Sequence, residues 1–228
     1  LNWANAETGS LNLVARAGSG KTSTLIALVE EIATKQKGKN IFLGAFNKAI
    51  ASEIAAKLKS RGIDWKTAEA STMHAIGFRL WRRQFPGVTV EEKKVFSIIN
   101  AMAVESPDSL VYTKYASALK VVVSVAKQAG FGWLHAIDNR AAWFNLFDHH
   151  GIEVEADTEV GTLIAAAIRV LKASYAKDHE CIDFDDMITA PLVHDSPVRW
   201  PYDYVMIDEA QDTNAARRSL ALKLMRPV

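Results

Sequence analysis

Two short runs carry the residue types needed to hold and cleave a nucleoside triphosphate. The first is Ala15-Arg16-Ala17-Gly18-Ser19-Gly20-Lys21-Thr22. Its small residues let the backbone curl so that successive N–H groups converge on phosphate oxygens, and a helix beginning after Gly20 adds the partial positive charge of its N-terminus. Lys21 is placed to meet the β- and γ-phosphates as a point charge, and the Thr22 hydroxyl to ligate a magnesium ion. Ala15 occupies the position of the first glycine in the strict pattern. A methyl group is a small change there, and Ala17, Gly18, Ser19 and Gly20 still supply the phosphate-binding turn. The second run is Asp208-Glu209-Ala210-Gln211-Asp212. Asp208 closes an apolar stretch and can hold Mg2+ directly or through water, while Glu209 can position and deprotonate the attacking water. ATP and Mg2+ are the expected ligands.

These runs need elements that bring them together. Strand signals at 11–15, 41–46, 68–72 and 204–207 alternate with helical stretches, one of them at 22–33, the pattern of a parallel sheet covered on both faces. The expected fold is therefore α/β, a P-loop NTPase domain with a parallel sheet. Between 86 and 179 the alternation disappears. Leu119, Val122, Val123 and Ala126 form one helical stripe, and Ile164, Ile168, Leu171 and Tyr175 another, so this stretch reads as an inserted all-helical subdomain packing its own core. Phe85-Pro86-Gly87 and the polar run 177–180 mark its ends. The expected division is 1–85, 86–179 and 180–228. Asp183, Asp185 and Asp186, ahead of a turn expected at Pro191, are read as helix-start or packing residues rather than a second cation site.

Composition narrows the function classes. The net charge of +1 on 228 residues excludes a protein that coats nucleic acid through global basicity, so any nucleic-acid contact requires a local patch. Lys57, Lys59 and Arg61, and Arg79, Arg82 and Arg83 beside Trp81, are candidates; the alternative for each cluster is a solvated face. The single cysteine, Cys181, argues against a disulfide framework. No run of roughly 18 apolar residues is present, so no membrane span or membrane partner is expected, and a cytoplasmic or nucleoid-associated location follows. The clusters Asp148-His149-His150 and His179-Glu180-Cys181 lack the paired spacing of a zinc site.

The residues 17–22 and the run Asp208-Glu209-Ala210-Gln211-Asp212-Thr213-Asn214 resemble motifs I and II of superfamily 1 DNA helicases of the UvrD/Rep type. The Gln and Asp after the Glu are the discriminating part. Gly44-Ala45-Phe46-Asn47-Lys48-Ala49 is similar to motif Ia, Thr72-Met73-His74-Ala75 to motif Ib, and Asp183-Phe184-Asp185-Asp186-Met187-Ile188 to the Asp-Phe-x-Asp-Leu segment ahead of motif II. The resemblance implies a RecA-like motor domain carrying a helical insertion, with ATP hydrolysis coupled to 3′ to 5′ movement on single-stranded DNA and contacts at duplex junctions. It makes Phe46, Asn47, Thr72 and His74 the DNA-binding candidates. Gln211 becomes the candidate for coupling the nucleotide and DNA sides.

Phe46 offers a flat face for base stacking, and Asn47, Thr72 and His74 can bond phosphate or sugar oxygens. The aromatic lies one place nearer the Asn-Lys pair than in the commoner family wording, which leaves a base platform and a core position both open for Phe46. His74 could equally be a surface or capping histidine. The chain lacks an initial Met and ends shortly after motif II, so it reads as an excised first motor domain, expected to bind nucleotide and DNA weakly and not to unwind alone. Two alternatives are the motor portion of a helicase-nuclease subunit and a nonmotor P-loop binding module; a small-molecule kinase is more distant. Protein partners are not legible.

Overall fold

The computed structural model describes residues 9, 13–14, 20–105, 109–152 and 159–226. In chain order these form α1 (Lys21–Lys35), β1 (Ile41–Ala45), α2 (Lys48–Ser60), β2 (Ala68–Thr72), α3 (Met73–Gln84), β3 (Thr89–Val90), α4 (Lys94–Glu105), α5 (Ser109–Lys114), α6 (Ala116–Ala129) and α7 (Arg140–His149). There follow α8 (Val160–Ala176), β4 (Cys181–Ile182), α9 (Asp186–Val193), β5 (Tyr204–Ile207), a 3-10 turn at Ala210–Asp212, and α10 (Ala215–Leu224). The chain divides into two compact units. One holds the described residues through Ile76 with Val198–Thr213 and those from Ala221; the other holds Gly77–Pro197 and Asn214–Leu220.

In the first unit three parallel strands lie in the order β2-β1-β5. Central β1 places Ile41 opposite Ala68 and Tyr204, and Gly44 opposite Ser71 and Ile207. Every residue of β1 is buried, because a strand covered on both faces must be apolar along its whole length. Helices α1 and α2 supply the cover through Ile26, Val29 and Ile32 and through Ala51, Ile54 and Leu58, all in one core with Ile41, Leu43 and Met206. The strand expected at 41–46 stops at Ala45, and Phe46 leaves the sheet 55% exposed. The strand expected at 11–15 lies outside the described residues except for 13–14, which carry no regular structure.

The second unit is built on helices. The stripe Leu119, Val122, Val123 and Ala126 packs with Ile164, Leu171 and Tyr175, while Ile168 sits partly buried at the margin. The stretch read as all-helical also contains β3, which pairs in parallel with β4 through Thr89 with Cys181 and Val90 with Ile182. Two residues are too few for a period-two pattern to register in the sequence. No turn forms at Pro191. That residue lies inside α9, where it has no N–H to give to the Met187 carbonyl four residues back. Gly77 of α3 brings its backbone against this same oxygen: a Cβ at 77 would stand 2.2 Å from Met187 O.

Lys94 and Lys127 are fully buried here among carboxylates. Lys94 Nζ lies 2.5 Å from Asp178 Oδ1 and 2.8 Å from Asp186 Oδ2. Lys127 Nζ lies 2.8 Å from Asp183 Oδ2 and 2.5 Å from Asp186 Oδ1. Asp183 and Asp186 also accept each other's backbone N–H at 2.9 and 3.0 Å, which closes the turn into α9. Asp178 meets His194 Nε2 at 3.1 Å. Among the described residues no helix is long and apolar enough to cross a membrane.

Candidate nucleotide and DNA site

Parallel strands present their carboxyl ends to one edge of a sheet, and the loops leaving that edge are where α/β domains hold ligands. In the first unit β1 ends at Ala45, its register partner in β2 is Thr72, and β5 delivers Asp208 just past Ile207. The Asp208 N–H still donates to Gly44 O at 2.9 Å, so the carboxylate leaves the sheet on a fixed backbone.

The structure brings the two sequence runs together. Thr22 Oγ1 donates to Asp208 Oδ2 at 2.9 Å across 186 residues of chain. Lys21 Nζ lies 3.3 Å from Glu209 Oε2. Gly20, which precedes α1, has φ 86°, a left-handed conformation that a side chain would strain, and its carbonyl accepts from Thr24 Oγ1 at 3.1 Å. Ala17, Gly18 and Ser19 lie outside the described residues. Asp208 is buried, and its second oxygen accepts the Glu209 N–H at 3.1 Å. A hydroxyl and a carboxylate oxygen at 2.9 Å form a hard, all-oxygen pair, the donor chemistry that a magnesium ion requires.

Glu209 itself adopts φ 53°, ψ 49°, left-handed for a residue with a full side chain. Gln211 Nε2 donates to Glu209 Oε2 at 2.6 Å, and hydrogen bonds from Gln211 and then Lys21 hold the Glu209 carboxyl below the usual carboxylate range. A carboxylate kept ionised beside a cation is suited to accept a proton once that cation has a stronger anion to meet. Sequence reasoning placed Gln211 in the site but not in contact with Glu209; the contact depends on the left-handed turn, which residue types do not announce.

Of the DNA candidates, Phe46 is exposed directly beyond β1. Asn47 caps α2, its Oδ1 accepting the Ile50 N–H at 2.9 Å. Thr72 caps α3, its Oγ1 accepting the Ala75 N–H at 3.1 Å. His74 is partly buried in the first turn of α3. All four therefore sit at the carboxyl ends of adjacent strands, the edge from which Asp208 also emerges. The basic clusters fare differently. Lys57 pairs with Glu53 at 2.6 Å and Arg61 with Glu30, while Trp81 is buried and donates to Asp178 O at 2.8 Å.

Residues 2–227 match the family model of the UvrD/REP helicase N-terminal domain. A comparison with curated proteins gives no match.

Proposed function

The chain belongs to the UvrD/REP helicase N-terminal domain family, and from that premise we propose that it works as the nucleotide-holding motor domain of an ATP-dependent DNA helicase and translocase. The observation that carries this is the pairing of Thr22 with Asp208 and of Lys21 with Glu209, on the strand edge that also presents Phe46 and Thr72. On ATP binding, Lys21 turns from Glu209 to the β- and γ-phosphates. Glu209, relieved of that partner and steadied by Gln211, takes a proton from the water that attacks the γ-phosphorus as the bond to ADP breaks. Thr22 and Asp208 would hold Mg2+, whose chemistry is to neutralise charge on the phosphate oxygens.

On the other side of the same edge, Phe46 stacks a base of single-stranded DNA, a contact worth about 1–3 kcal/mol and indifferent to sequence. Asn47, Thr72 and His74 contact its backbone. The helical unit is an insertion between the Ib segment and the motif II strand and meets DNA at the junction with duplex. Movement runs 3′ to 5′, and a second motor domain completes the ATP site. Intact Lys21, Thr22, Asp208 and Glu209 count against a nonmotor module. ATP hydrolysis by the full-length protein, measured with and without single-stranded DNA, tests the reading: stimulation by DNA is expected in the parent and lost in Lys21→Ala. Equal activity in both proteins would remove the motor.

A further inference from the structure

The sheet of the first unit has a second edge, at the amino ends of its strands and opposite the one that bears Asp208. The chain enters β1 through 37–40, β2 through a turn at 64–67 and β5 through 198–203, all within that unit. Register puts these entries side by side, since Ile41 lies opposite both Ala68 and Tyr204. With neighbouring strands about 4.8 Å apart, the entries to β2 and β5 stand roughly 10 Å apart across β1.

Two tryptophans stand open on this edge. Trp65 is 72% exposed and Trp200 64%, whereas Trp81 and Trp143 are fully buried. Both open rings are carried on well-bonded backbone. Asp64 closes the turn under Trp65, its Oδ1 accepting the Thr67 N–H at 2.8 Å and its carbonyl the Ala68 N–H at 3.0 Å. On the far side, Pro201 O accepts from Asn40 Nδ2 at 3.2 Å, and Tyr202 N–H donates to Leu224 O at 2.9 Å. Two large flat apolar faces kept in water on anchored loops add little to the core; they are surface that a ligand covers.

The charge beside these rings is positive. Lys66 Nζ lies 6.0 Å from the Trp65 ring centroid, and Lys37 and Arg199 are exposed on the adjoining loops. The carboxylates of this edge are already engaged. Asp203 accepts the Asn40 N–H at 3.0 Å and meets Lys39 and Arg226, each at 3.1 Å, while Glu69 accepts the Tyr202 hydroxyl at 2.7 Å. Lys35 and Lys57 also end near this edge, but they pair with Glu31 and Glu53 on their own helices and offset the helix carbonyls. Lys66 and Arg199 lie on loops, where that explanation does not reach.

We propose that this amino edge binds a second stretch of single-stranded DNA, with Trp65 and Trp200 as platforms for bases and Lys37, Lys66 and Arg199 facing phosphates. Stacking needs only a π-face and a phosphate only a cation, so the surface takes any sequence. A protein-binding patch is depleted of charge at its centre; here a cation adjoins each ring. That the strand is DNA rests on the proposed function, whereas the stacking and the charge do not.

Titration of the full-length protein, without nucleotide, with a thymidine strand of about eight nucleotides gives the number of strands held. Ultraviolet crosslinking of the same strand gives the peptides it touches. Trp65→Ala with Trp200→Ala is expected to hold one strand fewer than the parent and to lose crosslinks at 64–67 and 198–203. Trp65→Phe with Trp200→Phe keeps a stacking face and should keep that strand, with affinity within about threefold. Lys66→Ala should lower the slope of log affinity against log salt at this edge by about 0.7. Phe46→Ala weakens the strand at the carboxyl edge instead, so the two readings fail differently. A strand lost with Phe46 and none lost with the tryptophans overturns this inference and leaves the motor reading standing; the reverse removes the carboxyl-edge track and leaves this one. Strand number and crosslinks unchanged in the alanine double variant overturn the inference, and a uridine strand preferred to thymidine at this edge overturns the choice of DNA.

Discussion

Lys21 and Lys127 each face carboxylates, and the surroundings give the two pairings opposite uses. Lys127 is sealed with Asp183 and Asp186, both buried, in contacts of 2.8 and 2.5 Å. Lys21 meets one oxygen of Glu209 at 3.3 Å, with 23% and 35% of the two side chains open to solvent. In the buried cluster the low dielectric raises the cost of any unpaired charge, so the partners are committed to one another. At the sheet edge water competes for both ions and the pairing is weak, so the exchange of Glu209 for a phosphate that the proposed function asks of Lys21 costs little. One arrangement fixes the fold, the other leaves a cation available for chemistry.

The sharpest break of this contrast is Lys127→Met, which strands Asp183 without its cation and leaves Asp186 only Lys94. It should lower unfolding stability by about 3–5 kcal/mol in denaturant titrations; a loss under about 1 kcal/mol would show that water reaches the cluster. Lys21→Ala should do the converse. Hydrolysis is expected to drop about 10²–10³-fold, the scale for losing one preorganised charge-stabilising group, while stability shifts within about 0.5 kcal/mol.

The third effect is on pH. Burial pushes the Asp183 carboxyl up to about 6 from its ordinary 3.8, against the pull of Lys127, and burial likewise raises Asp178 against His194 and Lys94. At Asp186 burial acts in the same direction, but Lys127 and Lys94 outweigh it and the carboxyl lies below the ordinary value. Between 3.8 and about 6 the folded state therefore holds more protons at Asp183 than the unfolded state does. Stability should fall as pH rises through that window and level off above it. Asp183→Asn should flatten the slope; an unchanged slope would assign it to other groups. The smallest effect belongs to the exposed Lys57–Glu53 pair, where Lys57→Ala should cost no more than about 0.5 kcal/mol, within the error of a melting curve, and lose even that at high salt.

The contrast also explains what the residues disclosed in advance. Strand β1 was legible as an unbroken apolar run, and β2 and β5 from the helical stretches and turns that bound them, while the residue types of the two runs implied that Thr22 and Asp208 meet at one nucleotide. The Lys21–Glu209 contact was not, since it depends on a backbone dihedral at Glu209 and on two segments far apart in sequence. The buried cluster left a sign: Lys127 follows Val123 by four residues and so continues the apolar stripe of α6, and of the aspartates at 183–186 the two that are buried, Asp183 and Asp186, meet cations. Pro191 misled for a physical reason. A proline removes one helical hydrogen bond, but a helix as short as α9, packed closely by Gly77, can continue past it.

Glu209 joins two properties in one residue. A left-handed backbone at a side-chain-bearing position costs of the order of 1–3 kcal/mol, and glycine would relieve it while deleting the carboxylate. Selection for heat resistance alone would accordingly favour Glu209→Gly and, with Glu209 as the proposed base, enrich sturdier proteins that no longer turn over.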